Sequence, residues 1–139
     1  MKYILDTNAV SSLMRGDADV IARLEKESKS DVYVPQPVLA EIAYGIERLP
    51  KSKRRELLQE RIELIRAELQ RMEWSDEVSA RFGVIKATLE KKGIRSEDFD
   101  AAIAAHAHEQ DAVLVTANTD DMARVPGVRI EDWSKKTAK

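Results

Sequence analysis

The shape of the apolar runs restricts the fold most: they are short, β-rich and separated by helical stretches. Tyr3-Ile4-Leu5 stops at Asp6-Thr7-Asn8, Val32-Tyr33-Val34 is closed by Pro35 and Pro37, and Ala112 to Thr116 reads AVLVT. Each suits a strand and is too short for a buried helix. Strands joined through helices need crossover connections, which build a mainly parallel sheet covered on both faces. The expected class is therefore α/β, a three-layer α/β/α sandwich around a short central sheet.

The intervening segments carry helical spacing. Val10, Leu13 and Met14 form a stripe ending near Gly16, and Val20, Ile21 and Leu24 form a second. A third helix is expected from about Gln36 to Leu49, ahead of Pro50. Leu58, Ile62, Ile65, Leu69 and Met72 alternate four- and three-residue steps, and Val78, Phe82, Ile85 and Leu89 repeat them after Ser75, an N-cap candidate. This predicts two amphipathic helices packed as an antiparallel pair. Gly93 ends the second and Ser96 can cap the next, whose segment Asp100 to Ala107, DAAIAAHA, is apolar on nearly every side and reads as buried. Val128-Arg129-Ile130 is the last strand candidate.

A length of 139 residues fits one domain, expected over 1–134, with Lys135 to Lys139 as a basic, flexible tail. Cysteine is absent, which excludes disulfides, thiol nucleophiles and thiolate metal sites. No apolar run nears the ~20 residues that span a bilayer, and the N-terminus lacks a signal-peptide layout, so no membrane partner and a cytoplasmic location are expected. The net charge of −2 conceals two opposed blocks. Arg48 to Arg71 holds eight basic residues against four acids, whereas between Arg95 and Arg124 there are seven acids and no Lys or Arg. Most such runs are solvated surface, but this acidic block brackets the most apolar stretch of the chain. The basic block could hold a nucleic-acid backbone, on weak grounds when taken alone.

Open parallel sheets place their sites at the carboxyl ends of strands. Asp6 follows the first strand, Thr116 tips the AVLVT strand, and Asn118, Asp120 and Asp121 follow it. Asp100 falls in or near the first turn of the buried helix. Glu41 lies about two turns into the third, flanked by apolar residues in VLAEIA. Taken singly, Asp6 and Asp100 read as helix caps, Glu41 as surface charge, and Asp120 and Asp121 as turn formers. Four acidic positions from four segments meeting at one sheet edge reverse that judgement. Clustered carboxylates repel one another unless a cation joins them, and all-oxygen ligands suit Mg²⁺, with Mn²⁺ as a possible substitute. Such an ion serves phosphate chemistry. His106 and His108 point in different directions on one helix and are given structural roles.

At LDTN (Leu5 to Asn8), LAEIAYG (Leu39 to Gly45), FDAAIAAHA (Phe99 to Ala107) and LVTANT (Leu114 to Thr119), the chain resembles the PIN-domain nucleases, and more narrowly the VapC-type toxins. The likeness spans essentially the whole chain, through Val125-Pro126-Gly127 and Glu131-Asp132-Trp133. It implies a PIN-like fold and a Mg²⁺-dependent endoribonuclease inhibited by a cognate VapB-like antitoxin, as a homodimer and in larger toxin–antitoxin complexes. The closing segment most resembles relatives acting on structured RNA such as tRNA. Asp6, Glu41 and Asp100 match the family's three invariant acids, and Thr116 its Thr/Ser at the strand tip. The fourth acidic position departs: some relatives have Asp where Asn118 stands, others an acid matching Asp121, and Met122 replaces the usual aromatic. The fourth role is assigned to Asp121, with Asn118, Thr116 and Asn8 supporting.

On this resemblance Asp6 and Asp100 hold the metal, and Glu41 either binds it or accepts a proton from the attacking water. Hydrolysis leaves a 5′-phosphate and a 3′-hydroxyl. Two competing enzymes fit poorly. An aspartate-nucleophile phosphatase needs a second acid where Asn8 stands, and a receiver domain needs an acidic pair and a Lys not evident here. A non-catalytic module whose acidic cleft docks a basic partner segment is the alternative of a different class.

Overall fold

The computed structural model describes residues 1–134; the tail expected at 135–139 lies outside the described residues. Five strands form one sheet: β1 (Tyr3–Leu5), β2 (Val32–Pro35), β3 (Gln70–Met72), β4 (Val113–Val115) and β5 (Arg129–Glu131). Their order is β3-β2-β1-β4-β5 and every pairing is parallel, with Ile4 opposite Tyr33 on one side and Leu114 on the other. β1 and β4 are buried along their whole length, which is why their sequences are apolar runs rather than alternations.

Among the described residues seven α-helices connect and cover them: α1 (Thr7–Arg15), α2 (Ala18–Glu25), α3 (Gln36–Glu47), α4 (Lys53–Glu68), α5 (Asp76–Lys91), α6 (Asp98–Glu109) and α7 (Thr119–Met122). The chain steps one way from β1 through β2 to β3, then crosses to β4 and steps the other way to β5. Right-handed crossovers therefore put α1–α4 on one face and α5–α7 on the other. This is the expected three-layer sandwich. Ser75 caps α5 through the Val78 N–H at 3.2 Å, and Gly16 and Gly93 end α1 and α5 with φ of 80° and 73°. No described helix is long and apolar enough to cross a membrane.

Three local expectations change. The stripe from Leu58 to Met72 is not one helix: α4 stops at Glu68, Leu69 turns extended at φ −99° and ψ 159°, and Met72 is buried from strand β3. The two amphipathic helices flank that strand and are not each other's chief partner. α5 packs on α6, whereas α4 lies against α1 and α3. Glu97, not Ser96, precedes α6 as its N-cap residue and makes no capping hydrogen bond. Large apolar side chains are exposed at Tyr44 on α3 and at Leu57 and Leu64 on α4.

The carboxyl edge closes with a stacked corner. Trp133 is buried against the Tyr3 ring, with centroids 5.3 Å apart, and the Arg23 guanidinium lies 4.9 Å from the Trp133 ring centre. Arg23 also pairs with Glu27 and, at 3.2 Å, with Glu131.

Candidate active site

The strand order reverses direction between β1 and β4, the switch point where open α/β sheets leave a crevice. Asp6 emerges from β1 into it. Its N–H donates to the Val115 carbonyl at 3.0 Å, and its carboxylate Oδ1 accepts the Ala9 N–H at 2.8 Å. Asp6 is thus both the N-cap of α1 and a buried acid. Burial raises its pKa. Hydrogen bonds from the Thr116 hydroxyl and the Ala9 amide oppose the rise, and the charges of Glu41 and Asp132 add to it. Thr116 is buried at the end of β4, where its Oγ1 accepts the Asn118 N–H at 2.9 Å.

Glu41 rises from α3 after β2, half-buried, and its Oε1 accepts a hydrogen bond from the Thr7 hydroxyl. Asp100 sits in the first turn of α6 but does not cap it. Its pKa is pushed up to about 6, by burial first and then by the charges of Glu41, Asp6, Glu97 and Asp121. Asp121 is exposed in the first turn of α7 and lines a groove beside Asp100. The four expected acids therefore share one electrostatic neighbourhood. Asn118 precedes α7 and Asn8 lines a small recess with Thr116 and Asp132. Asp120 is exposed and lines neither hollow.

Among the described residues no three Asp, Glu or His side chains close on one point as a ready-made ligand set. The chemistry of the donors still fits a hard divalent cation. They are carboxylates, with a hydroxyl and a carboxamide alongside, and mutual repulsion and burial hold two of them above the ordinary carboxylate range. His106 lies elsewhere: fully buried, its Nδ1 donates to the Ala102 carbonyl at 2.8 Å, the Trp74 ring meets it edge-on, and burial lowers its pKa.

Three participants were missed from sequence. Glu97 acts on Asp100, Thr7 orients Glu41, and Asp132 acts on Asp6 while accepting from the Ser134 N–H and hydroxyl. Asp132 had a usable signal, since it directly follows the last strand as Asp6 follows the first. Two arginines of the basic block are engaged elsewhere: Arg61 donates to the Met14 carbonyl and Arg55 to that of Leu49. The cations lining the groove are Lys86 and Arg95.

Residues 3–128 match the PIN domain. The chain is 31% identical to Ribonuclease VapC2 of Rickettsia felis, over 97% of this chain and 100% of that one. It is 29% identical to the tRNA(fMet)-specific endonuclease VapC of Salmonella typhimurium, over 96% and 98%. The fold matches VapBC2 of Rickettsia felis, solved bound to a promoter DNA fragment, with a TM-score of 0.87, 29% identity and coverage of 96% and 99%. It matches FitAcB of Neisseria gonorrhoeae with a TM-score of 0.84, 25% identity and coverage of 94% and 97%. Sequence and fold agree over nearly the whole chain, which belongs to the PIN-domain family and, within it, to the VapC ribonucleases.

Proposed function

We propose that this ribonuclease hydrolyses phosphodiester bonds in structured RNA such as tRNA, using Mg²⁺, and that a cognate antitoxin holds it inactive in a cytoplasmic toxin–antitoxin complex of toxin dimers. The observation that supports the reading is that the charges of Asp6, Glu41 and Asp121 all act on Asp100 beside the switch point of the sheet. Residues 1–134 form the catalytic unit.

Asp6 and Asp100 are the principal metal ligands, with Glu41 and Asp121 completing the oxygen set. When bound, the ion neutralises phosphoryl oxygens and lowers the pKa of a water. Thr7 donates to Oε1 of Glu41 and so orients the carboxylate that would help hold the cation or take a proton from the attacking water. Thr116 fixes the Asp6 carboxylate from the β4 side and, through the Asn118 N–H, the start of the segment carrying Asp121. Attack by water leaves a 5′-phosphate and a 3′-hydroxyl.

The test is cleavage of total small RNA, with initiator tRNA transcript alongside because one relative is named for it. Antitoxin-free protein is compared in Mg²⁺ and in EDTA, beside Asp6→Asn. Discrete 5′-phosphorylated fragments needing both metal and Asp6 are expected. A 2′,3′-cyclic phosphate product would overturn the water-attack mechanism.

A further inference from the structure

The groove beside Asp100 continues away from the switch point, between the α5–α6 loop and α7. Its volume of about 600 Å³ falls within the ~300–1,000 Å³ of ligand sites. Asp100 and Asp121 join it to the acids of the switch point; Glu90 and Glu97 add two further acids to the lining, Ala101, Met122 and Val125 are its buried apolar residues, and Lys86 and Arg95 its cations. The left-handed Gly93 turns the chain out of α5, so that Ile94, Arg95 and Ser96 build one wall. Lys86 is committed to Asp98 at 2.5 Å. Arg95 is exposed and, among the described residues, makes no ion pair or hydrogen bond.

From this layout we infer that the groove seats the RNA strand on one side of the scissile phosphate, with Arg95 gripping a backbone phosphate. The inference rests on the nuclease reading and adds to it the direction of the strand and the residue that holds it. A phosphate beside Asp100 and Asp121 is the reacting one, so a chain leaving it along the groove brings its next phosphates towards the only uncommitted cation of the lining. The lining holds no aromatic side chain, so bases are not stacked there. Recognition is of the backbone and its path, which a guanidinium meets through two parallel hydrogen bonds. Arg95 is a binding residue and takes no part in bond cleavage.

The experiment measures filter binding of bulk tRNA in Mg²⁺ across a salt series. All proteins carry Asp6→Asn to prevent cleavage, and Arg95→Ala, Arg95→Glu, Arg95→Lys and Arg54→Glu are compared on that background. Arg54 is an exposed cation of α4, outside the groove, that tests the basic block. Arg95→Ala should weaken binding several-fold and lower the slope of log K against log salt by about one, with Arg95→Glu worse and Arg95→Lys largely restoring both. In the cleaving protein the same Arg95 changes should raise KM and leave kcat nearly unchanged. Unchanged affinity and slope in Arg95→Glu overturns the inference, as does loss confined to Arg54→Glu or absence of tRNA binding by every version. Metal-dependent cleavage by the unmodified protein is scored separately, so the nuclease reading stands or falls on its own result.

Discussion

Asp6 caps α1 and is proposed to hold the metal, and two substitutions separate the two tasks. Asparagine is as good an N-cap as aspartate, so Asp6→Asn should keep the Ala9 hydrogen bond and remove a buried charge, leaving stability equal or higher while cleavage is lost. Asp6→Ala also loses the cap, at a cost of about 0.5–2 kcal/mol. Urea denaturation of the two beside the unmodified protein checks the pair. Asp100 gives a pH signature. Its folded pKa of about 6 lies above the ordinary 3.8, so folding takes up a proton in between. In metal-free protein this contribution to stability is complete below the ordinary value and is lost as pH rises through about 6. Denaturation midpoints in EDTA should therefore fall over that window, and Asp100→Asn should flatten the fall. Saturating Mg²⁺ should oppose it, because a cation favours the ionised acids. Asp6 and Asp100 were expected from sequence because one follows a strand and the other opens an apolar helix, and Glu41 because apolar residues flank it. Glu97 was not, because an acid at a helix start is usually a cap residue, whereas Asp132 carried the same signal as Asp6 and was overlooked.

At the scale of elements, the missed strand shows where pattern reading fails. Gln70 and Arg71 of β3 are exposed, and Met72 alone faces the core, so three residues at a sheet edge carry no alternation to read. Meanwhile Leu69 and Met72 happen to continue the spacing of the helix before them. The central strands were legible because burial on both faces demands unbroken apolar runs. Their packing carries a cost that can be tested: Leu114→Ala, at a fully buried position of β4, should destabilise by about 2–5 kcal/mol in denaturant titration. The corner after β5 should behave likewise. Trp133→Ala removes the surface that covers Tyr3 and stacks on Arg23, and should cost about 3–5 kcal/mol. Asp132 and Glu131 lie beside it, so some loss of activity should accompany that change. Gly127 stands at φ 78°, and a Cβ there would meet His108 Nε2 at 2.8 Å, so the turn before β5 tolerates no side chain without movement.

At the scale of the whole molecule, the fold class could be read from sequence because strand–helix alternation leaves few topologies. The distribution of charge could not, because a run of Lys and Arg says nothing of which way its helix faces. Two arginines of the basic block support α1 and the chain after α3, while an arginine outside the block lines the groove. The strand order carries a last consequence, for the timing of synthesis. β1, made before the other four strands, sits in the middle of the sheet and is flanked on one side by β4, made after β2 and β3. The Asp6 N–H is fixed by Val115, and Thr116 and Asp121 lie beyond it. A nascent chain halted before β4 leaves the ribosome with its first strand unpartnered on that side and its acids unassembled. The candidate site therefore assembles only once the segment from Val113 to Asp121 has been made.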